Sequence, residues 1–385
     1  MVNRWPWRID CIVGARPNFV KIAPILRALC AAGFAARLIH TGQHYDVEMN
    51  AVFFRELEIP EPDVNLEVGS GSGTEQTAQI MLKLEPILRE KRADLLLVVG
   101  DVNSTLAAAL VAAKLQVPLA HVEAGLRSND RSMPEEINRL VTDRLSDMLL
   151  TTEENAFANL VREGIDRARI TFVGNVMIDT LAACLHRAAP ARETPKDAGI
   201  APDLLAEIDA KSFGFVTLHR PSNVDDPRQL GGLLEALAEI SRSAPLVFPV
   251  HPRTRAMIDK AGLSHVLAQG RILECGALSY LRALGLMRAA RFAITDSGGV
   301  QEETTALGVP CLTVRDNTER PITIEQGTNT LVGTSPEALI SAAREIIATG
   351  GKKGRLPPLW DGRAGERVAA AIGAYLEHSY GRRAA

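Results

Sequence analysis

Short apolar runs of strand length alternate with helical patterns along most of this chain, and this alternation limits the possible folds. The clearest run, Leu95–Val99, is wholly aliphatic, and the helical stretch Asn103–Leu115 that follows has almost no polar face. An uninterrupted apolar run is typical of a strand buried in a parallel sheet. Repeated strand–helix units predict such a sheet with helices on both of its faces. We therefore expect an α/β protein.

The predicted elements continue this rhythm from end to end. The predicted strands are Ile9–Val13, Ala35–His40, Leu95–Val99, Leu119–Val122, Met148–Thr151, Ile170–Val173, Phe215–Leu218, Leu246–Val250, Ile272–Leu273, Phe292–Thr295 and Cys311–Val314. The main predicted helices are Asn18–Ala31, Val47–Leu57, Glu75–Lys91, Asn103–Leu115, Pro134–Ser146, Glu153–Glu163, Val300–Leu307 and Glu366–Glu377.

A change of composition divides this pattern into two halves. Between Ala188 and Pro202, prolines interleave with charged residues, which predicts a solvated segment that crosses between domains. A chain of 385 residues is long enough for two domains. We predict two Rossmann-like, doubly wound domains, residues 1–178 with 364–385 and residues 179–363. Their ligand is expected in a cleft between the carboxyl ends of the strands.

Charge and composition exclude several classes of partner. The net charge is −3 and the pI is near 6.3, which argues against nucleic acid or a membrane surface as the main partner. No apolar run is long enough for a transmembrane helix, and no signal-peptide pattern precedes the first strand, so we expect a cytoplasmic protein. The five scattered cysteines form no CxxC pair, and we interpret them as reduced core residues.

The stretch Thr295–Glu303 predicts an anion site. It places Ser297, Gly298 and Gly299 between an apolar strand and a helix start, where free backbone N–H groups and the positive end of the helix point at one spot. Acidic residues follow at once, which suggests a ligand that also offers hydroxyls. The alternative is an ordinary tight turn whose glutamates favour the helix dipole.

Basic and histidine residues follow other predicted strands. Arg16 and Lys21 come after the first strand and could reach a phosphate, or could belong to a solvated helix start. His219 and His251 each follow a strand of the second half. His219 is followed directly by Arg220, and His251 is followed by Pro252 and Arg253. This pattern fits anion or proton chemistry. Metal binding is the rival interpretation, although no histidine–carboxylate spacing matches a known motif. Arg320 is a candidate phosphate partner.

Three acids follow strands or begin a helix in the first half. Asp101 follows the clearest strand, Glu123 ends the next one, and Glu135 begins a helix on the same face as Arg139. Crowded carboxylates push pKa values apart, which suits proton transfer. Three helix caps and surface acids would be the structural alternative. The polar turn that holds Gln43 and His44 is also open to a structural explanation.

Taken together, these motifs resemble the non-hydrolysing UDP-N-acetylglucosamine 2-epimerases over nearly the whole chain. The segments that carry the resemblance are Gly14–Lys21, Gly100–Asp101, His121–Arg127, Pro134–Arg139, His219–Arg220, Asp296–Glu303 and Arg315–Pro321.

The resemblance implies a GT-B-like fold and a reversible inversion at C2 that interconverts UDP-GlcNAc and UDP-ManNAc without a metal or other cofactor. The implied route eliminates UDP to a 2-acetamidoglucal and then adds it back, and its product would feed surface polysaccharide synthesis. The resemblance also implies a homodimer.

The resemblance further implies roles for individual residues. Asp101, Glu123, Glu135 and His219 are the implied catalytic groups. The implied substrate contacts are Arg16, Lys21, Arg139, His251, Ser297, Gly298, Gly299, Glu303 and Arg320. Gln43 and His44 match the region where some bacterial members bind a second UDP-GlcNAc as activator.

Four other functions compete with this interpretation. A GT-B glycosyltransferase would share the UDP site but needs an acceptor and no set of three acids. An epimerase could also act on a UDP-sugar modified at C3. A hydrolysing epimerase would release free ManNAc and UDP, and an inactive nucleotide-sugar sensor would have no use for the acids.

Overall fold

The computed structural model describes residues 7–43, 47–193 and 211–381, and the chain divides into two compact units. The N-terminal unit combines Met1–Ala183 with Pro358–Ala385, and the C-terminal unit is Cys184–Pro357. The predicted crossing segment, residues 188–202, lies partly outside the described residues.

The N-terminal unit is built on a parallel sheet. Its strands are β1 (Arg8–Val13), β2 (Ala35–His40), β3 (Val64–Asn65), β4 (Leu95–Val99), β5 (Leu119–Val122), β6 (Met148–Thr151) and β7 (Ile170–Phe172). Their order across the sheet is β3-β2-β1-β4-β5-β6-β7, with every pairing parallel. The first six strands follow the 3-2-1-4-5-6 order of Rossmann folds, in which the chain reverses direction between β1 and β4.

Helices cover this sheet. They are α1 (Arg16–Ala32), α2 (Val47–Glu56), α3 (Gly73–Glu90), α4 (Asn103–Leu115), α5 (Pro134–Leu145), α6 (Glu154–Arg162), α7 (Val176–Cys184) and α16 (Ala364–Gly381), with a 3-10 turn at Arg167–Arg169. Because α4 is apolar on nearly every face, it is buried against β1, β4 and α3. The final helix packs on α1, and Asp179 accepts hydrogen bonds from the Ala364 and Gly365 amides at its start.

The C-terminal unit repeats the same topology. Its strands are β8 (Gly214–Thr217), β9 (Leu246–Pro249), β10 (Ile272–Cys275), β11 (Phe292–Thr295), β12 (Cys311–Thr313) and β13 (Asn329–Leu331), in the order β10-β9-β8-β11-β12-β13. Its helices are α8 (Pro221–Val224), α9 (Pro227–Ser241), α10 (Pro252–Ala261), α11 (Ser264–Leu267), α12 (Tyr280–Ala289), α13 (Gly298–Leu307), α14 (Pro321–Glu325) and α15 (Pro336–Thr349), after a 3-10 turn at Leu185–Arg187.

Separate cores lie on the two faces of this second sheet. Val216 packs with α9 and α15 on one face, whereas its neighbour Phe215 packs with α12 on the other. This alternation explains why β8 is apolar at successive positions. The predicted α/β class with two Rossmann-like, doubly wound domains is therefore confirmed.

The structure also corrects the sequence predictions. Every predicted strand is present, but the edge strands β3 and β13 and the helices α7 and α15 were not predicted. Both edge strands are short and have a neighbour on one side only, so they need no apolar run.

Cys30 is exposed, so the prediction of five core cysteines is wrong at that position, although the other four are buried. No helix within the described ranges combines the length and apolarity needed to cross a membrane.

Candidate active site

Two acids of the N-terminal unit lie at the carboxyl ends of adjacent strands, and each has a basic partner. Asp101 follows β4, and its Oδ2 lies 2.5 Å from Nη2 of Arg139, which comes from α5. Glu123 follows β5 and forms a buried ion pair with Lys21 of α1. The predicted pair of acids at neighbouring strand ends is therefore present in the structure.

The backbone at these strand ends takes uncommon conformations. Glu123 has a φ of 76°, in the left-handed region that costs a side chain with a Cβ about 1 kcal/mol or more. Gly100 also has a positive φ, and a Cβ there would lie 2.8 Å from Lys21 Nζ and 3.2 Å from Glu123 Oε2. The glycine therefore lets the Lys21–Glu123 pair lie directly against the turn before Asp101.

The structure gives the neighbours Glu135 and Glu136 different environments, a difference that the sequence does not reveal. Glu136 is buried and accepts hydrogen bonds from the amides of Ser128 and Asn129. It also pairs with Arg139 Nη1 at 2.8 Å, so Arg139 lies between the carboxylates of Glu136 and Asp101. Glu135 is half-buried in the first turn of α5. Arg139, predicted as a substrate contact, pairs with both of these acids in this structure.

The predicted phosphate-binding pair of α1 has two different environments. Arg16 is half-buried, with its guanidinium carbon 6.0 Å from the centre of the Phe53 ring. Lys21 is buried on Glu123. The contacts described for these two side chains thus differ, although both belong to the start of α1.

Gln43 supports the start of α4 in this structure. Its Oε1 accepts hydrogen bonds from the Ser104 amide at 3.2 Å and from the Ser104 hydroxyl at 2.7 Å. The Gln43 carbonyl in turn accepts a hydrogen bond from Gln76. His44, the other residue predicted for an activator site, lies outside the described residues.

In the C-terminal unit, an imidazole–carboxylate pair joins the ends of β8 and β11. His219 Nδ1 lies 2.8 Å from Asp296 Oδ1, and the amides of His219 and Arg220 also donate to this carboxylate. Burial raises the pKa of Asp296, but the His219 ring and the two amides outweigh it and hold the pKa below its ordinary value. The His219 side chain is 37% exposed. The sequence analysis does not identify Asp296 as the partner of His219. The sequence signal for it is an acid directly before the Ser-Gly-Gly turn.

The Ser-Gly-Gly turn begins α13, as predicted, and a carboxylate lies beside it. Ser297 is the residue before the helix, and a Cβ on Gly298 would lie 2.6 Å from Glu319 Oε1. Glu319 is buried, 2.8 Å from Arg315 Nη1 and 3.7 Å from Arg220 Nη2. Gly299 is the next residue of the helix and is half-buried.

The two glutamates within α13 also have buried partners. Glu302, which the sequence left unassigned, lies 2.7 Å from Nε of Arg320, the predicted phosphate partner. Glu303 accepts a hydrogen bond of 2.9 Å from the Tyr280 hydroxyl. Burial and the nearby Glu302 raise the pKa of Glu303 to about 7, although the Tyr280 hydrogen bond lowers it.

His251 lies on the exposed surface next to His219. Its ring centre is 5.6 Å from that of His219, and its Nδ1 accepts the Arg253 amide at the start of α10. Within the part of the chain that is described, no three His, Cys, Asp or Glu side chains are grouped so as to hold a metal ion.

Known proteins match this chain over nearly its whole length. A sequence model of the UDP-N-acetylglucosamine 2-epimerase family covers residues 27–373. The UDP-N-acetylglucosamine 2-epimerase of Methanocaldococcus jannaschii is 40% identical over 95% of this chain and 98% of the relative. This chain belongs to the UDP-N-acetylglucosamine 2-epimerase family.

A solved structure and one further relative extend this finding. The crystal structure of the M. jannaschii epimerase in complex with UDP-GlcNAc and UDP has a TM-score of 0.84 to this chain, and the match covers 95% of this chain and 99% of that one. A Pseudomonas aeruginosa protein, UDP-2,3-diacetamido-2,3-dideoxy-D-glucuronate 2-epimerase, is 40% identical over 88% of this chain and 92% of the relative. The epimerase family predicted from the motifs, and with it the isomerase class of enzyme, is confirmed.

Proposed function

We propose that this chain interconverts UDP-GlcNAc and UDP-ManNAc by inverting C2. The observation that carries the proposal is the pair of acids at adjacent strand ends, with Asp101 held by Arg139 and Glu123 held by Lys21. The M. jannaschii epimerase, 40% identical over nearly the whole chain, supports the choice of substrate.

The proposed chemistry begins with loss of UDP, because C2–H is not next to a carbonyl and is too weakly acidic to be removed first. As the C1–O bond to UDP breaks, positive charge grows at C1 and the C2 proton becomes removable. A carboxylate of the N-terminal unit takes this proton, a C1–C2 double bond forms, and UDP leaves with the electron pair. Proton return to the opposite face of C2 and re-addition of UDP to C1 complete the inversion.

Asp101, Glu123 and Glu135 share the proton transfers in this proposal. A positioned acid or base contributes about 10²- to 10⁴-fold to a rate. The buried ion pair with Lys21 holds the Glu123 carboxylate in place, whereas Glu135 is half-buried in the first turn of α5. The three acids differ in partner and exposure, and such differences allow one carboxyl to donate while another accepts.

The C-terminal unit holds UDP in this proposal and thereby stabilises the leaving group. Asp296 keeps His219 oriented through Nδ1, so Nε2 is the nitrogen that meets the diphosphate. Ser297, Gly298 and Gly299 begin the helix whose positive end favours an anion. The remaining ligand groups in this unit are His251, Glu303 and Arg320, with Glu303 accepting the ribose hydroxyls, and Arg16 of the N-terminal unit adds a further cation.

A C3-modified UDP-sugar is the second candidate substrate. The P. aeruginosa relative, named for a 2,3-diacetamido glucuronate, is as similar in identity as the M. jannaschii epimerase. The chemistry at C1 and C2 would be the same, so the sugar and not the reaction distinguishes these proposals. We further propose that the product supplies surface polysaccharide synthesis and that the protein forms a homodimer.

Product analysis tests it. The protein is incubated with UDP-GlcNAc, without metal or acceptor, and the products are separated and identified by NMR. UDP-ManNAc at an equilibrium ratio is the expected product. Free ManNAc with UDP would indicate a hydrolysing enzyme, and turnover only with an added sugar acceptor would indicate a glycosyltransferase. Turnover of UDP-2,3-diacetamido-2,3-dideoxy-D-glucuronate alone would select the second candidate.

A further inference from the structure

His121 is a buried histidine whose two ring nitrogens both meet acceptors. It lies in β5, two residues before Glu123, and its side chain is fully buried. Nε2 is 2.8 Å from the carbonyl oxygen of Gly100, and Nδ1 is 2.7 Å from Oδ1 of Asp143 on α5. A carbonyl oxygen only accepts, so Nε2 must donate a proton.

The partner of Nδ1 is a carboxylate and not a carboxylic acid. The other oxygen of Asp143 accepts the Gly125 amide at 3.0 Å and pairs with Arg127 Nη2 at 2.7 Å. The Arg127 guanidinium and the Gly125 amide, which both lie against this oxygen, favour the charged carboxylate. Asp143 therefore accepts from Nδ1 as well, and a ring that donates from both nitrogens is an imidazolium.

This ring links the backbone turns that carry Asp101 and Glu123. The Gly100 carbonyl belongs to the peptide that leads into Asp101, and Gly100 has a φ of 68°. The Gly100 amide donates to Val122, directly before Glu123, at 3.1 Å. His121 thus holds the turn before Asp101, while the strand that carries His121 leads directly into Glu123.

We propose that His121 is a positioning residue, charged and anchored by Asp143, that sets the relative placement of Asp101 and Glu123 for proton transfer at C2. This inference rests on the proposed function, because the two acids matter only if they act on the sugar. Misplacement of a reacting group by about 1 Å can cost about 100-fold in rate. The loss should fall on kcat, since His121 and its partners position the two acids and include none of the proposed UDP ligands.

The charge state is tested by long-range ¹H–¹⁵N NMR of the uniformly labelled, full-length protein. The signals of His121 are assigned by their loss in His121→Gln. Two protonated ring nitrogens with slowly exchanging N–H protons are expected at neutral pH. One unprotonated nitrogen would overturn the proposal, whatever the activity of the enzyme.

The positioning role is tested by Asp143→Asn and His121→Gln. Each should lower kcat about 100-fold and leave KM for the UDP-sugar and Kd for UDP within about twofold. The matched control is His265→Gln, since His265 is exposed and bonds only through Nδ1 to the Gly262 carbonyl in the described contacts. Unchanged kcat in a folded Asp143→Asn variant would overturn the positioning role.

The failures of the two proposals are distinguishable. If the wild-type protein epimerises no UDP-sugar, the proposed function fails while the NMR result still reports the charge of His121. If the wild type is active and either test above gives the contrary result, only the role of His121 fails. Should His121→Gln not fold, the His121 signals are assigned by their shift in Asp143→Asn, and that variant still tests the positioning role.

Discussion

The Tyr280 hydroxyl donates a hydrogen bond of 2.9 Å to the carboxylate of Glu303, and both side chains are buried. Tyr280 begins α12 and Glu303 lies in α13, so the bond ties together the helices that follow β10 and β11. Burial pushes the pKa of Glu303 upward to about 7, and this hydrogen bond opposes the rise. Tyr280 therefore helps to keep Glu303 able to accept hydrogen bonds near neutral pH.

Replacing Tyr280 with phenylalanine should weaken UDP binding. Without the hydroxyl, the pKa of Glu303 rises further, and a neutral carboxyl accepts ribose hydroxyls less well. One hydrogen bond to a charged group corresponds to about 1.5 kcal/mol, so Kd for UDP should rise about tenfold in calorimetry at pH 7. Tyr375→Phe, in α16 of the other unit, is the control and should leave Kd unchanged. Equal Kd values in both variants would contradict this role of Tyr280.

Stability should fall as pH rises through the titration of Glu303. The folded state keeps the proton up to about pH 7, whereas the unfolded chain releases it near pH 4.5, so the folded state binds more protons between these values. The contribution of Glu303 is thus complete below pH 4.5 and is lost as pH rises through 7, by about 3 kcal/mol.

Glu303→Gln removes this titration. The free energy of unfolding is measured in urea for the variant and the wild type at pH 5 and at pH 8. Relative to the wild type, the variant should be more stable at pH 8 than at pH 5. A difference that is the same at both pH values would show that Glu303 is ionised throughout.

Replacement by glutamine should affect mainly stability at Glu136 and mainly activity at Glu135. Glu136→Gln removes the charge that holds Arg139 and the 128–129 amides, and should cost about 3 kcal/mol in urea unfolding. Glu135→Gln should change stability by less than about 0.5 kcal/mol but lower kcat by about 100-fold or more. Full activity in the Glu135 variant would remove this residue from the proton transfers.

Gly100 and Gly164 form a matched pair for testing the strand end before Asp101. Both have a positive φ, but a Cβ on Gly164 meets nothing within 4 Å, whereas one on Gly100 meets the Lys21–Glu123 pair. Gly164→Ala should lose about 1 kcal/mol of stability and keep its activity. Gly100→Ala should lose activity as well, measured as kcat, because the ion pair must move. Equal activity in the two variants would contradict a need for close approach at Gly100.

The sequence predicts the fold well because its buried strands are continuous apolar runs. Leu95–Val99 and Phe292–Thr295 lie where the pattern puts them. The edge strands β3 and β13 escape prediction because their polar residues are tolerated at a sheet edge, as in Asn329–Leu331.

The site is predicted less completely because side-chain pairing depends on tertiary packing. The sequence gives no sign that Arg139 bridges Asp101 and Glu136, or that Arg320 pairs with Glu302. Nor does it separate Glu135 from Glu136, since burial alone makes one of them structural. The sequence assigns no individual role to His121 or Tyr280, because each lies within a largely apolar stretch that explains its presence.

Solvent exchange at C2 tests the central claim most directly. The protein is incubated with UDP-GlcNAc in heavy water, and the sugar is followed by ¹H NMR and mass spectrometry. Deuterium should enter C2 as UDP-ManNAc appears, and in Asp101→Asn and Glu123→Gln the rate should fall about 100-fold or more while UDP still binds. UDP-ManNAc that retains the original hydrogen at C2, or bound substrate that neither exchanges nor epimerises, would contradict elimination with proton transfer to these acids.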